Sequence, residues 1–151
     1  MIPFFPTPYP DELWYGLITR FHSHSGFPFW SDSLKLLFPE HTYPRVGSLL
    51  PNETMRQLVL RLPEGVLSLE ELVLQHSLFS FRLLFLGAER KTEYLQQYLQ
   101  GEDIQPKLLA LTKKQREHPL RYCPICARED AEGFGEAYWH TEHQIWIMPL
   151  C

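Results

Sequence analysis

The chain has 151 residues, enough to bury a core in one domain or in a domain with a small satellite. Its formal net charge is -4, from 14 Lys and Arg against 18 Asp and Glu, which argues against a surface that coats a polyanion. No apolar run is long enough to span a bilayer. The opening Met1-Ile2-Pro3-Phe4-Phe5-Pro6 lacks the basic start and unbroken apolar stretch of a signal peptide.

Residues 1–10 carry Pro3, Pro6, Pro8 and Pro10 among Phe4, Phe5 and Tyr9. Proline at that density removes helical hydrogen bonds and favours an extended, polyproline-like arm. Its aromatics leave two options: to lie across its own domain, or to insert into a partner. Asp11 is the expected N-cap of a first helix, with Glu12 in the first turn. Leu13, Leu17 and Phe21 recur at helical spacing, Trp14 and Ile18 widen the stripe, and Gly26 with Pro28 should stop the helix near Ser25. Ser31 or Ser33 opens a short second helix around Leu34, Leu37 and Phe38, closed by Pro39, and residues 40–51 are loop.

Asn52 caps a third helix through Met55, Leu58, Val59 and Leu62, ended by Pro63-Glu64-Gly65. Ser68-Leu69-Glu70-Glu71 has the form of a capping box and starts a fourth helix that runs to about His76. The stretch 78–86 is almost continuously apolar and is expected to be a buried helical piece. A further helix covers 89–99, with Tyr94, Leu95, Tyr98 and Leu99 on one side and Gly101 as its stop. Residues 102–119 are polar and mark the expected boundary. The pattern predicts a mainly α fold: an arm and helical module, with room for a helix-turn-helix-like arrangement, over 1–105, then a zinc-ribbon or zinc-finger-like element over 106–151.

The strongest chemical signal is Cys123-Pro124-Ile125-Cys126. Zinc takes four ligands in a tetrahedron, and a two-residue spacer lets both thiolates meet one ion from a single turn, here stiffened by Pro124. A redox dithiol is the rival, but it wants a βαβ context that the pattern does not offer. Cys151 is the third candidate ligand, and the fourth is His143, His140 or a residue beyond the end. An odd cysteine count with this pair suits Zn2+ in a reducing compartment, and a cytoplasmic location is expected. His140-Thr141-Glu142-His143 lacks the histidine spacing of a zinc-protease helix. Tyr138, Trp139 and Trp146 read as packing around a small knuckle. His22 and His24 diverge on their helix, and His76 suits a helix end. No Ser/His/Asp set, carboxylate pair or phosphate-cradling loop is evident, so an enzyme is not expected.

Phe5-Pro6-Thr7-Pro8-Tyr9-Pro10-Asp11-Glu12-Leu13, with Tyr15, Arg20 and Gly26, resembles the start of TniQ/TnsD-family transposition proteins. Leu50-Pro51-Asn52, Leu69-Glu70-Glu71-Leu72 and Gln75-His76-Ser77-Leu78-Phe79 continue the likeness in order. So do Tyr122-Cys123-Pro124-Ile125-Cys126, Glu129-Asp130, Gly135-Glu136-Ala137-Tyr138-Trp139-His140, His143-Gln144 and Cys151. The resemblance implies zinc on Cys123, Cys126 and Cys151, with a family Cys-x-x-His supplying its last ligand past the present end. The zinc element is therefore expected to be truncated, and the chain to be the N-terminal portion of a longer bacterial protein. It also implies a target-site selector that links a DNA- or guide-RNA-directed recognition part, such as a CRISPR Cascade complex, to the AAA+ ATPase regulator TnsC.

Two functions from different classes follow. In the first the chain is an adaptor, docking an oligomeric TnsC ring through Phe4, Phe5, Pro6, Tyr9, Trp14 and Tyr15, because aromatics on a stiff strand make good interface anchors. In the second it binds target DNA through a helix-turn-helix and a ribbon surface carrying Lys113, Lys114, Arg116, Arg121 and Arg128. The net negative charge favours the adaptor. A metal-free helical interaction domain is the blander third reading.

Overall fold

The structure, a computed structural model, describes residues 2, 4–38, 44–45, 49–110 and 119–145. The expected stop at Pro39, much of the 40–51 loop and Trp146 lie outside the described residues. Among those described, eight α-helices and one 3-10 turn, Glu142–Gln144, supply the regular structure, so the mainly α expectation holds. Extended pairing among the described residues is a single antiparallel bridge between Glu12 and His140.

Helix α1 spans Trp14–Ser25 and ends at Gly26, whose φ of 73° is the left-handed cap that glycine adopts without a Cβ penalty. It starts later than expected. Leu13, not Asp11, is its N-cap, because Asp11 (φ 54°) sits in a turn after Pro10 and its polar groups go elsewhere. Helix α2, Trp30–Leu37, packs on α1. Helix α3, Glu53–Arg61, is capped by Asn52, which accepts the Met55 N–H at 3.1 Å. Helix α4, Leu69–Gln75, is capped by Ser68, which accepts the Glu71 N–H at 3.0 Å. Both caps behave as their sequences predict.

The apolar stretch 78–86 departs from expectation. Only Phe79–Arg82 is helical, as α5, and the chain then turns outward so that Leu84 is 56% and Phe85 92% exposed. Leu78, Phe79 and Leu83 are the part that is buried. Helix α6 covers Ala88–Leu99, and a short α7, Gln105–Ala110, lies in the stretch expected to be a polar boundary.

The largest difference concerns the cysteines. Among the described residues Cys123 and Cys126 do not sit in a ribbon: Cys123 is the N-cap and Pro124 the first residue of α8, Pro124–Phe134, which closes on Gly135 at φ 86°. Proline suits the first turn of a helix, where its missing N–H has no intrahelical partner to lose. The run Ala127-Arg128-Glu129-Asp130-Ala131-Glu132 that follows has ordinary helical preference. The Cys-x-x-Cys therefore winds into the first turn of a helix.

Two adjoining cores hold these elements. Trp14, Leu17, Ile18 and Phe21 of α1 pack with Leu37, Met55 and Leu58, and the arm adds Ile2 and Phe5. Val73, Phe79, Leu83, Tyr98 and Ile104 form the second. The tail feeds both, with Leu120 and Trp139 against the first and Ile145 in the second. Leu17 has no accessible surface, so Leu17→Ala is expected to cost about 2–5 kcal/mol. Asn52→Ala should cost about 1 kcal/mol through the lost cap. Urea unfolding followed by circular dichroism measures both.

Candidate functional site

The arm meets the tail at Tyr9-Pro10-Asp11-Glu12-Leu13. Proline sets the backbone of a turn's second position, and aspartate tolerates the left-handed third position better than most residues. The turn closes with Glu12 N–H donating to Tyr9 O at 3.2 Å. Its remaining polar groups hold distant segments. The Asp11 carbonyl accepts both the N–H and the hydroxyl of Thr141 (2.8 and 3.0 Å), and the Asp11 carboxylate accepts the Glu142 N–H (3.1 Å). Leu13 N–H donates to Trp139 O at 2.6 Å, and Trp14 N–H to His76 O at 2.9 Å. His76 Nδ1 returns to Glu12 O at 2.6 Å, and burial holds its imidazole below the ordinary pKa. Its expected role at a helix end is met, at the C-cap of α4, with this cross-link added.

Under the turn lies a buried charge network. Arg20 Nη1 is 2.6 Å from Glu12 Oε2 and 3.2 Å from Thr7 O, and its Nε is 2.9 Å from Glu136 Oε1. Its guanidinium lies 3.6 Å from the centroid of the Tyr9 ring, which also packs on Phe134 and Tyr138. His24 Nε2 approaches the other Glu136 oxygen at 2.9 Å. Burial pushes Glu136 up, but the bonds from Arg20 and His24 outweigh it and hold the carboxyl below its usual range.

Glu12 is treated differently by its surroundings. It has no accessible surface, its Oε1 has no hydrogen-bond partner, and a Cβ on Gly16 would stand 3.2 Å from that oxygen. Burial raises the Glu12 carboxyl to about 7, against the pull of the Tyr9 N–H and Arg20. Burial likewise lifts Asp11 to about 6.

Of the candidate zinc ligands, Cys123 is buried at the N-cap of α8 and Cys126 half-buried three residues on. Residues three apart on a helix are neighbours, so the pair suits two corners of one tetrahedron. His140 does not extend that set. Its Nε2 meets Asp130 Oδ2 at 2.9 Å and its Nδ1 lies 3.7 Å from Asp11 Oδ2, so both nitrogens face carboxylates. Its ring stacks on Tyr138, with centroids 4.3 Å apart, and tilts against His143 at 4.7 Å. His143 is buried, which lowers its pKa. Among the described residues no group of three or more His, Cys, Asp and Glu is arranged to hold an ion, and Cys151 lies outside them.

The proposed partner anchors are sorted by burial. Trp14 is fully buried, and Phe5, at 7% exposed, and Pro6 are buried, so these three side chains present little or no surface to a partner in this structure. Tyr9 is half-buried against the tail and Tyr15 half-buried beside Trp30. Phe4 alone of the six stands exposed, at 45%, over Phe21 and His24. Of the suggested phosphate contacts, Arg128 is exposed on α8, whereas Arg121 spends a guanidinium N–H on Ile145 O at 3.1 Å. Lys113, Lys114 and Arg116 lie outside the described residues. The arm–tail network itself was missed. The available signal was Arg20, a charge set three residues after Leu17 and next to Phe21 on an apolar stripe.

The model of the TniQ family matches residues 3–151, which is nearly the whole chain. The chain belongs to the TniQ family. It is similar to the protein described as transposon Tn7 transposition protein TnsD of Escherichia coli, with 26% identity over 97% of this chain and 29% of that protein. The chain thus spans less than a third of the length of the curated relative it matches. No helix among the described residues is long and apolar enough to cross a membrane.

Removing Arg20 strands a buried carboxylate, so Arg20→Ala is expected to cost about 3–5 kcal/mol in urea unfolding. Arg20→Lys should recover little, because an ammonium cannot reproduce the fork. The raised carboxyls bind protons more tightly in the folded state than in the unfolded one. Their favourable contribution is complete below the ordinary carboxylate pKa and is lost as pH climbs through about 6 for Asp11 and about 7 for Glu12. Unfolding free energies of Glu12→Gln and wild type, compared between pH 4.5 and 8, should therefore diverge, the wild type losing more stability as pH rises.

Proposed function

We propose that this chain takes part in transposition as a non-catalytic target-selection adaptor. In this reading it links a target-DNA or guide-RNA recognition part to the AAA+ regulator TnsC. The observation that carries the proposal is the TniQ match over residues 3–151, joined by the likeness to a transposition protein of Tn7. Residues 1–105 would face the regulator and 106–151 would act as a clamp docked on them.

Charge favours this over direct DNA binding by helix-turn-helix and tail. Over the whole chain 18 Asp and Glu outnumber 14 Lys and Arg, which gives the protein surface a net negative charge. Non-specific DNA affinity rests on phosphate neutralisation, which such a surface opposes. Zinc on Cys123 and Cys126, completed by ligands outside the described residues, belongs to the same proposal. When bound, it would brace the start of α8.

The arm cannot simply be deleted as a test, because Phe5 and Tyr9 are part of the fold. Phe4→Asp is the cleaner probe. In a pull-down with TnsC it should cut recovery at least several-fold while leaving the circular dichroism spectrum unchanged. Undiminished recovery would remove the arm from the interface. Metal analysis of purified protein should find about one zinc per chain, and its absence would remove the metal from the proposal.

A further inference from the structure

Two open hollows, together called the groove, adjoin at Leu74 and Ser80, which line both. The first, about 290 Å³, is floored by Leu74, Phe79, Leu83 and Leu95. Lys91 is the charged side chain that lines it. The second, about 150 Å³, is floored by Leu78, Phe81 and Ile145, and its charged lining is Asp11 and Glu142. The groove is therefore apolar along its length, cationic at one end and anionic at the other.

Its hydroxyl groups are already committed. Ser80 donates to Leu74 O at 3.0 Å, and Thr92 to Ala88 O at 3.1 Å. Lys91 is not committed in the same way. Its Nζ makes one long contact, 3.5 Å to Leu84 O, and joins no ion pair among the described residues. Glu142 is exposed and likewise has no ion pair among them. Immediately after Leu83 of the floor come Leu84 and Phe85, the latter 92% exposed.

A nucleic acid does not suit this groove, since two carboxylates and an apolar floor face a single ammonium. A short protein segment does suit it. We propose that the groove binds a partner peptide in which apolar side chains lie between an acidic and a basic residue. The acid would pair with Lys91, the apolar residues would fill the floor, and the base would face Glu142. Complementary charge at both ends fixes the direction of the segment, and the floor supplies the area. Phe4 lines neither hollow, so the proposal goes beyond the adaptor reading and does not depend on it.

Selection of a random heptapeptide phage library on the whole chain, with winners synthesised and titrated by fluorescence anisotropy, tests it. Winners should carry the acid–apolar–base pattern. Lys91→Glu and Glu142→Lys should each weaken their binding about ten-fold, with the circular dichroism spectrum unchanged. The double variant should instead prefer peptides with the two charges exchanged. Backbone amide shifts on titration should concentrate at Leu74, Ser80, Lys91, Thr92 and Glu142. Winners without the pattern, binding indifferent to Lys91→Glu, or shifts centred elsewhere would each overturn the proposal. Loss of TnsC recovery by Phe4→Asp bears on the adaptor reading alone, so the two can fail separately.

Discussion

The guanidinium of Arg20 ties together parts of the chain that are distant in sequence. It binds Glu12 after the arm's turn, Thr7 within the arm and Glu136 in the tail, and it covers the Tyr9 ring. Taking such charges out of water costs several kcal/mol per ion, which their attraction only roughly repays. The network is therefore a poor source of net stability and a strict source of register. An arm laid down one residue out of place would leave Arg20 or Glu12 buried and unpaired. That is an error of several kcal/mol in a fold whose whole margin is of the order of 10.

This constraint turns the arm and the tail into one assembly. Asp11 and Leu13 supply backbone and side-chain partners to Trp139, Thr141 and Glu142, and Trp14 and Glu12 supply backbone partners to His76. A Cβ on Gly16 would stand 3.2 Å from Glu12 Oε1, so the carboxylate would have to give by a few tenths of an ångström. Asp130 and His140 extend the cross-linking to α8, the helix that starts with the cysteines. A disturbance at Cys123 or Cys126 thus has a short route to the arm through packed, hydrogen-bonded groups.

How far the sequence discloses this depends on whether each signal is local. Asn52, Ser68 and Gly26 act on backbone within three residues of themselves, and their helices begin or end where the pattern says. Asp11 has the same capping chemistry but is drawn off by Thr141 and Glu142, 130 residues away, which no local rule can anticipate. The stretch 78–86 misleads for a related reason. Hydropathy marks all of it as core, but the second core takes Leu78, Phe79 and Leu83, and the turn into α6 leaves Phe85 outside. The cysteine spacing is equally compatible with a knuckle and a helical first turn, and Pro124 with the Ala- and Glu-rich run behind it decides for the helix. The family likeness was legible at sequence level because it rests on short ordered motifs. Several of these, Glu12, Arg20, Glu136 and His140, prove to be members of the buried network.

That overlap bears on what the motifs are for. Residues gathered into the network are spent on each other: Arg20 offers its charge to Glu12 and Glu136, and His140 directs both nitrogens to carboxylates. Groups so engaged have nothing left for phosphate or a substrate. Groups able to meet another molecule lie at the margins of the fold: among the described residues Phe4, Phe29, Leu60 and Phe85 are exposed, and Lys91 and Glu142 line open hollows. These are apolar anchors with sparse charge of both signs, the composition of a protein–protein surface. The motif residues Glu12, Arg20, Glu136 and His140 are thus accounted for by the register of arm and tail, which they set through one another and through Asp130.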